Sequence, residues 1–228
     1  MSKPVLFWLA LLFLVAGGTF GWLAYRQSQG GRFGSVATVD TSYLAEPDLS
    51  NDLLKSYALT ERGGRTFRSE ELAGEVSVAS FFYTACPTEC LQQNAKMQEL
   101  AREFKGQDVV FLSISCDPEV DNPARLREYA RKFEADEKQW LFLTGNLLYL
   151  RRIGAEIYQV PVDTRTHTER FIVVGRDGKL AGHFNWKEAA QMTAVRKKIA
   201  AELAKPVPAA ESAEETSPRA ETPAKAAE

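Results

Sequence analysis

The sequence predicts an α/β domain with a mixed central sheet flanked by helices, carried behind an N-terminal transmembrane helix. Three observations predict it. Val76–Tyr83 and Val109–Ile114 are nearly continuous apolar runs, as in strands buried on both faces. Helical periodicities follow each of these runs. A 22-residue segment without a charged residue, Pro4–Tyr25, precedes everything else, and roughly 20 apolar residues are enough to cross a bilayer.

The anchor is assigned to residues 1–26. Trp8, Trp22 and Tyr25 lie near the ends of the apolar run, where interfacial aromatics collect. A cleaved signal peptide is the competing reading, but Leu14-Val15-Ala16 lacks the small residue that a cleavage site wants at its first position. Lys3 before the run and Arg26 and Arg32 after it leave the orientation undetermined by charge. Residues 27–39, with three Gly and two Ser between Gln27 and Thr38, read as a flexible linker. Residues 205–228 are built of Ala, Pro, Glu, Ser and Thr and carry no apolar side chain larger than Val207, too little to order a segment. The remainder, 40–204, is one domain of ordinary size. A formal net charge of −2 argues against nucleic acid as a partner.

Within the domain, Leu54–Leu59 alternates like a short strand. Glu61-Arg62-Gly63-Gly64 is a hairpin turn, Arg65-Thr66-Phe67 returns, and Ser69–Leu72 forms a helical turn stopped at Gly74. After Val76–Tyr83, the spacing of Met97, Leu100, Ala101 and Phe104 predicts a helix over Thr88–Lys105, ended by Gly106. Asn122 and Pro123 supply a cap and a first helical residue for the helix of Leu126, Tyr129, Ala130 and Phe133. Trp140–Leu143 is a third strand, and Leu147–Ile157 a helix with Gly154 inside. Arg170–Val174 and Lys179–Phe184 pair across Gly175–Gly178, and Trp186–Leu203 closes the domain as an amphipathic helix. Strands alternating with helices imply a parallel core to which the late hairpin adds antiparallel strands, a thioredoxin-like order.

Chemistry concentrates at Cys86-Pro87-Thr88-Glu89-Cys90. Cys86 stands where a helix begins, so unpaired amides and the helix dipole favour its thiolate. Residues i and i+4 share a helix face, so both sulfurs can serve one spot, either closing a disulfide or holding a soft metal ion. The extra residue relative to Cys-x-x-Cys speaks against an ordinary thioredoxin. Ligands of open α/β sheets bind beyond the C-terminal ends of the parallel strands. Cys86 and Cys116 both lie there, and an antiparallel strand starting near Glu169 brings His167 to the same edge. Cys116, the third cysteine, reads as a packed core thiol, with a spare ligand or redox partner as the sharper alternative. Asp117 is either a group behind the site or a loop cap, His183 a strand residue, and Met97 core.

The run Phe82–Cys90, followed by Asp117-Pro118-Glu119, Asn122-Pro123, Leu126-Arg127-Glu128-Tyr129, Leu143-Thr144-Gly145, His167-Thr168 and Val173–Lys179, resembles the Sco/SenC family over roughly residues 50–203. The family consists of membrane-anchored, thioredoxin-like copper-binding proteins of cytochrome c oxidase assembly. The resemblance implies copper, as Cu(I) or Cu(II), on Cys86, Cys90 and His167, with Cys86 and Cys90 also a redox pair able to form a disulfide. It implies a metallochaperone rather than a turnover enzyme. The partner is the copper-bearing subunit of cytochrome c oxidase, and a second copper chaperone or a thiol reductant would load or reset the site. The domain would lie on the extracytoplasmic side of the membrane. The chain departs from the family at Thr88 and Leu91, where Asp and Pro are usual, and has a shorter loop between Tyr158 and His167. A membrane-tethered thiol–disulfide oxidoreductase or redox sensor using Cys86 and Cys90 is the alternative; the absence of proline immediately before Thr168 favours metal over peptide docking.

Overall fold

Residues 42, 44–50, 52–166 and 168–208 are described by the computed structural model. The anchor (1–26) and linker (27–39) expected from the sequence lie outside the described residues, as does the tail from 209 onward. Among the described residues no helix is long and apolar enough to cross a membrane.

The elements run β1 (Ala58–Glu61), β2 (Thr66–Arg68), a 3-10 turn (Ser69–Leu72), β3 (Val76–Phe82), α1 (Glu89–Glu103), β4 (Val109–Ser115), α2 (Pro123–Arg131), β5 (Trp140–Thr144), α3 (Leu147–Arg152), a π turn (Ile153–Ile157), β6 (Arg170–Val174), β7 (Leu180–Asn185) and α4 (Ala189–Leu203). One sheet takes all seven strands in the order β2-β1-β5-β4-β3-β6-β7. β3, β4 and β5 are parallel, with Val76 opposite Val109 and Phe82 opposite Ser115. β6 runs antiparallel to β3, Ala79 facing Ile172.

Every residue of β3 is buried, and the pleat divides its side chains between two cores. Val76, Val78 and Phe82 face Met97, Leu100, Tyr129, Val195 and Ile199 from α1, α2 and α4. Ala79 and Phe81 face Leu150, Ile153 and Tyr158 on the other side. This double burial makes the central strands continuous apolar runs and leaves their C-terminal ends as the place where polar chemistry gathers.

Three boundaries differ from expectation by more than two residues. β1 starts at Ala58, not Leu54. Its partner β2 is three residues long and passes into the 3-10 turn, so the ladder ends with Tyr57 O accepting from the Ser69 amide and the Tyr57 amide donating to Ser69 Oγ, both at 2.9 Å. Leu54 and Tyr57 are buried for other reasons: the Leu54 amide donates to Glu156 Oε2 (2.7 Å), and the Tyr57 and Tyr158 hydroxyls meet at 2.5 Å. The helix expected over 147–157 is α-helical only to Arg152. At Gly154 a Cβ would stand 2.4 Å from Val162 Cγ2 and 2.9 Å from Val160 O, so the chain packs closely there and the helix widens into the π turn. α4 begins at Ala189 because Asn185–Glu188 first form a turn, with the Glu188 amide donating to Asn185 O at 3.3 Å.

Candidate metal centre

The loop from β3 to α1 carries the two cysteines. Thr88 precedes the helix but makes no side-chain cap. Cys86 caps the helix instead, its Sγ accepting from the Cys90 amide at 3.3 Å. An unpaired donor of the first helical turn is thereby satisfied by sulfur. The Cys86 amide in turn donates to Tyr83 O at 3.3 Å, closing the turn that aims the sulfur at the helix.

This geometry makes the pair asymmetric. Burial works against the Cys86 thiolate, but hydrogen bonds from the Cys90 amide, the Cys90 thiol, the Thr88 amide and the Tyr83 hydroxyl outweigh it, and its pKa falls below the ordinary 9.0. Cys90 is fully buried. Burial, reinforced by the Cys86 and Cys116 thiols, holds it protonated well above the ordinary cysteine range. All three cysteines are free thiols.

A buried carboxylate fixes the loop. Asp121, 0% exposed, accepts from the Thr84 amide at 3.0 Å, from the Thr84 hydroxyl and from Ser115 Oγ at 2.5 Å. Arg125 Nε adds a bond to Thr84 Oγ1 at 3.2 Å. The segment two residues before Cys86 is thus tied to the end of β4. Burial raises the Asp121 pKa, and the bonds from Ser115 and Thr84 oppose the rise.

Cys116 is buried at the end of β4. Its Sγ lies 2.8 Å from Thr166 O and 3.2 Å from Phe82 O. Burial pushes its pKa up to about 12, so it is a thiol donor in the metal-free protein. Asp117 is buried too, with Arg165 Nε on Oδ2 at 2.9 Å and its amide on Ser115 Oγ at 3.1 Å. It anchors the 163–166 loop through Arg165. His183 Nε2, on β7, bonds Tyr158 O after the π turn at 2.8 Å, and Met97 is core.

His167 lies outside the described residues. Its neighbours are described: Thr166 O receives Cys116, and Thr168 O receives Gln93 Nε2 at 3.0 Å. The antiparallel register of β6 on β3 starts that strand at the edge where β3 ends in the thiol loop. Among the described residues no three His, Cys, Asp or Glu side chains are arranged to hold a metal, so the centre they supply is the Cys86–Cys90 pair. Two sulfurs, one favouring thiolate, are donors that suit Cu(I) and leave room for a third, imidazole ligand.

The sequence reading missed Asp121, Gln93 and Asn94. The signal for the two amides was their position three and four residues after Cys90, on the helix face that should be apolar. Asn94 Nδ2 donates to Cys90 O at 2.8 Å and its Oδ1 accepts from Ser113 Oγ at 2.8 Å, which braces the helix against β4.

A mixed sheet with an asymmetric dithiol at the first turn of the helix after its central strand defines a thioredoxin-like dithiol protein. The chain belongs to the SCO1/SenC family, whose model matches residues 45–204. It is similar to the SCO1 protein homolog of Bacillus subtilis (strain 168), 30% identical over 150 residues that cover 62% of this chain and 78% of that one. Among solved structures it resembles BsSco, a member of the Sco family of cytochrome c oxidase assembly proteins in which a disulfide switch has been identified. That match has 25% identity and a TM-score of 0.61, and covers 72% of this chain and 99% of that chain. It shares its fold with copper-bound yeast Sco1, at 23% identity and a TM-score of 0.54, over 73% of this chain and 96% of the other.

Proposed function

We propose that this protein binds copper on Cys86 and Cys90, with His167 as the third ligand, and serves cytochrome c oxidase assembly by passing copper to the oxidase's dinuclear copper site. The observation that carries the proposal is the Cys86–Cys90 geometry: one sulfur capping the helix that carries the other and shifted towards thiolate by amides, at the edge where β6 begins. Soft thiolates favour Cu(I), and an imidazole allows Cu(II) as well. The copper is cargo, so the site has to hold it and still release it to a better site.

The same asymmetry supports a second act. With a recipient disulfide, the Cys86 thiolate attacks one sulfur and forms a mixed disulfide, releasing the first recipient thiolate. Cys90 then loses its proton and displaces the second. The products are a Cys86–Cys90 disulfide, one recipient thiol that takes the Cys90 proton and one recipient thiolate that is protonated by water, so two electrons and one proton pass from the pair to the recipient. Reduction of the recipient's cysteines could therefore precede metal transfer. A tethered thiol–disulfide oxidoreductase would use only this half of the chemistry.

Residues 1–26 serve in this reading as the membrane anchor, 27–39 as the linker, 40–204 as the functional domain outside the cytoplasm and 205–228 as a solvated tail. A copper donor and a thiol reductant would complete the cycle. The test is anaerobic titration of the reduced full chain, in detergent, with Cu(I) against a competing chelator. One tightly bound copper is expected, lost in Cys86→Ala and weakened in His167→Ala. Weak binding, or binding indifferent to His167, would replace the copper reading with that of a disulfide reductase.

A further inference from the structure

The two carbonyl groups that flank position 167 are each held by a buried side chain, one on the helix that carries Cys90 and the other bonded to the end of the strand that leads to Cys86. Gln93 lies three residues after Cys90 on α1 and is 1% exposed; its Nε2 donates to Thr168 O at 3.0 Å. Among the described residues its Oε1 is buried without a hydrogen-bond partner. A buried amide with one end unpaired is unfavourable compared with an apolar side chain of the same shape. Within the described residues, the hydrogen bond to Thr168 is the work its side chain performs. Cys116, 0% exposed, sits on the other side, its Sγ 2.8 Å from Thr166 O. Its amide donates to Phe82 O at 2.9 Å, so it is fixed to the end of the strand from which the Cys86 loop departs. One strut therefore runs to the helix of Cys90 and the other to the strand that leads to Cys86.

We infer that Gln93 and Cys116 are positioning residues for copper binding, which set the backbone on both sides of residue 167 at a fixed place relative to the dithiol before the metal arrives. This rests on the reading of His167 as third ligand. A ligand borne on a pre-set backbone loses less freedom on binding than one borne on a loose loop, and the metal is held more tightly in consequence. Cys116 acts here as a hydrogen-bond donor and not as a third sulfur ligand.

The test uses the full chain in detergent, loaded with Cu(II), and reads the dissociation constant by chelator competition together with the sulfur-to-copper absorption band and the electron paramagnetic resonance spectrum. Gln93→Met and Cys116→Ala, which remove the donors, should each weaken Cu(II) by about 10–100-fold, the usual effect of losing a group that orients a ligand, and should alter both spectra. Cys116→Ser keeps a donor towards Thr166 O and should restore wild-type affinity and spectra. In the His167→Ala background, Gln93→Met should have no further effect, since a residue that acts through His167 has nothing left to act on. Three results overturn the inference: Gln93→Met and Cys116→Ala binding like wild type, additive effects of Gln93→Met and His167→Ala, or Cys116→Ser failing as Cys116→Ala does, which would make the sulfur itself a ligand. His167→Ala binding Cu(II) like wild type overturns instead the reading beneath it. Thermal unfolding of each metal-free variant monitors folding; if Gln93→Met does not fold, the Cys116→Ala and Cys116→Ser pair decides.

Discussion

The Cys90 amide donates to the Cys86 sulfur at 3.3 Å, so one cysteine caps the helix that carries the other. This contact sets the division of labour in the pair. Cys86 receives donors from the helix N-terminus and ionises the more readily, whereas Cys90, one turn in, is sealed in the core and keeps its proton. A metal arriving at the site engages Cys86 first, at the smaller cost in deprotonation, and gains the second sulfur by displacing the Cys90 proton.

Alkylation should report that asymmetry. In the reduced, metal-free protein, iodoacetamide is expected to modify Cys86 well before Cys90 and Cys116. Only thiolate reacts, and the Cys86 pKa is lowered from 9.0, so the midpoint of its rate profile should fall below pH 9.0. Peptide mass mapping over a pH series checks this; first modification at Cys90 would contradict it.

Asp121 should matter for both stability and pH dependence. Asp121→Ala leaves the Thr84 amide and hydroxyl and the Ser115 hydroxyl without their acceptor, a loss of about 1–3 kcal/mol for unsatisfied buried groups. Because burial raises the Asp121 pKa from 3.8, the folded state holds this proton more tightly than the unfolded state. Its contribution to stability is greatest below pH 3.8, declines as pH rises from 3.8 through the raised folded value, and is constant above it. Urea unfolding of wild type and variant across acidic pH should differ by that slope; parallel curves would show that Asp121 does not titrate in this way.

Gly154→Ala should destabilise the protein, since the new methyl would stand 2.4 Å from Val162 Cγ2 and 2.9 Å from Val160 O. Overpacking of this kind costs about 1–3 kcal/mol, visible as a lowered unfolding midpoint. An unchanged midpoint would mean that the Val160–Val162 segment yields freely.

Much of the fold was legible because its signals are local. β3 and β4 announce themselves as unbroken apolar runs, and Asn122 with Pro123 marks the start of α2, where the Asn122 side chain accepts from the Arg125 amide at 3.0 Å. The dithiol was legible from its place between a strand and a helix. What escaped depends on partners distant in sequence. The bond from Thr84 to Asp121 spans 37 residues and that from Gln93 to Thr168 spans 75. The π turn likewise depends on Gly154 meeting Val162, and Leu54–Leu59 alternates like a strand although Leu54 and Tyr57 are tied to Glu156, Tyr158 and Ser69.

The most direct test of the copper site is X-ray absorption of the anaerobic Cu(I)-loaded chain, with wild type measured beside His167→Ala. Two sulfur scatterers and one nitrogen or oxygen scatterer with the outer-shell pattern of imidazole are expected, the imidazole pattern vanishing in the variant. A shell of three sulfurs, or an imidazole pattern that survives His167→Ala, would contradict a centre made of Cys86, Cys90 and His167.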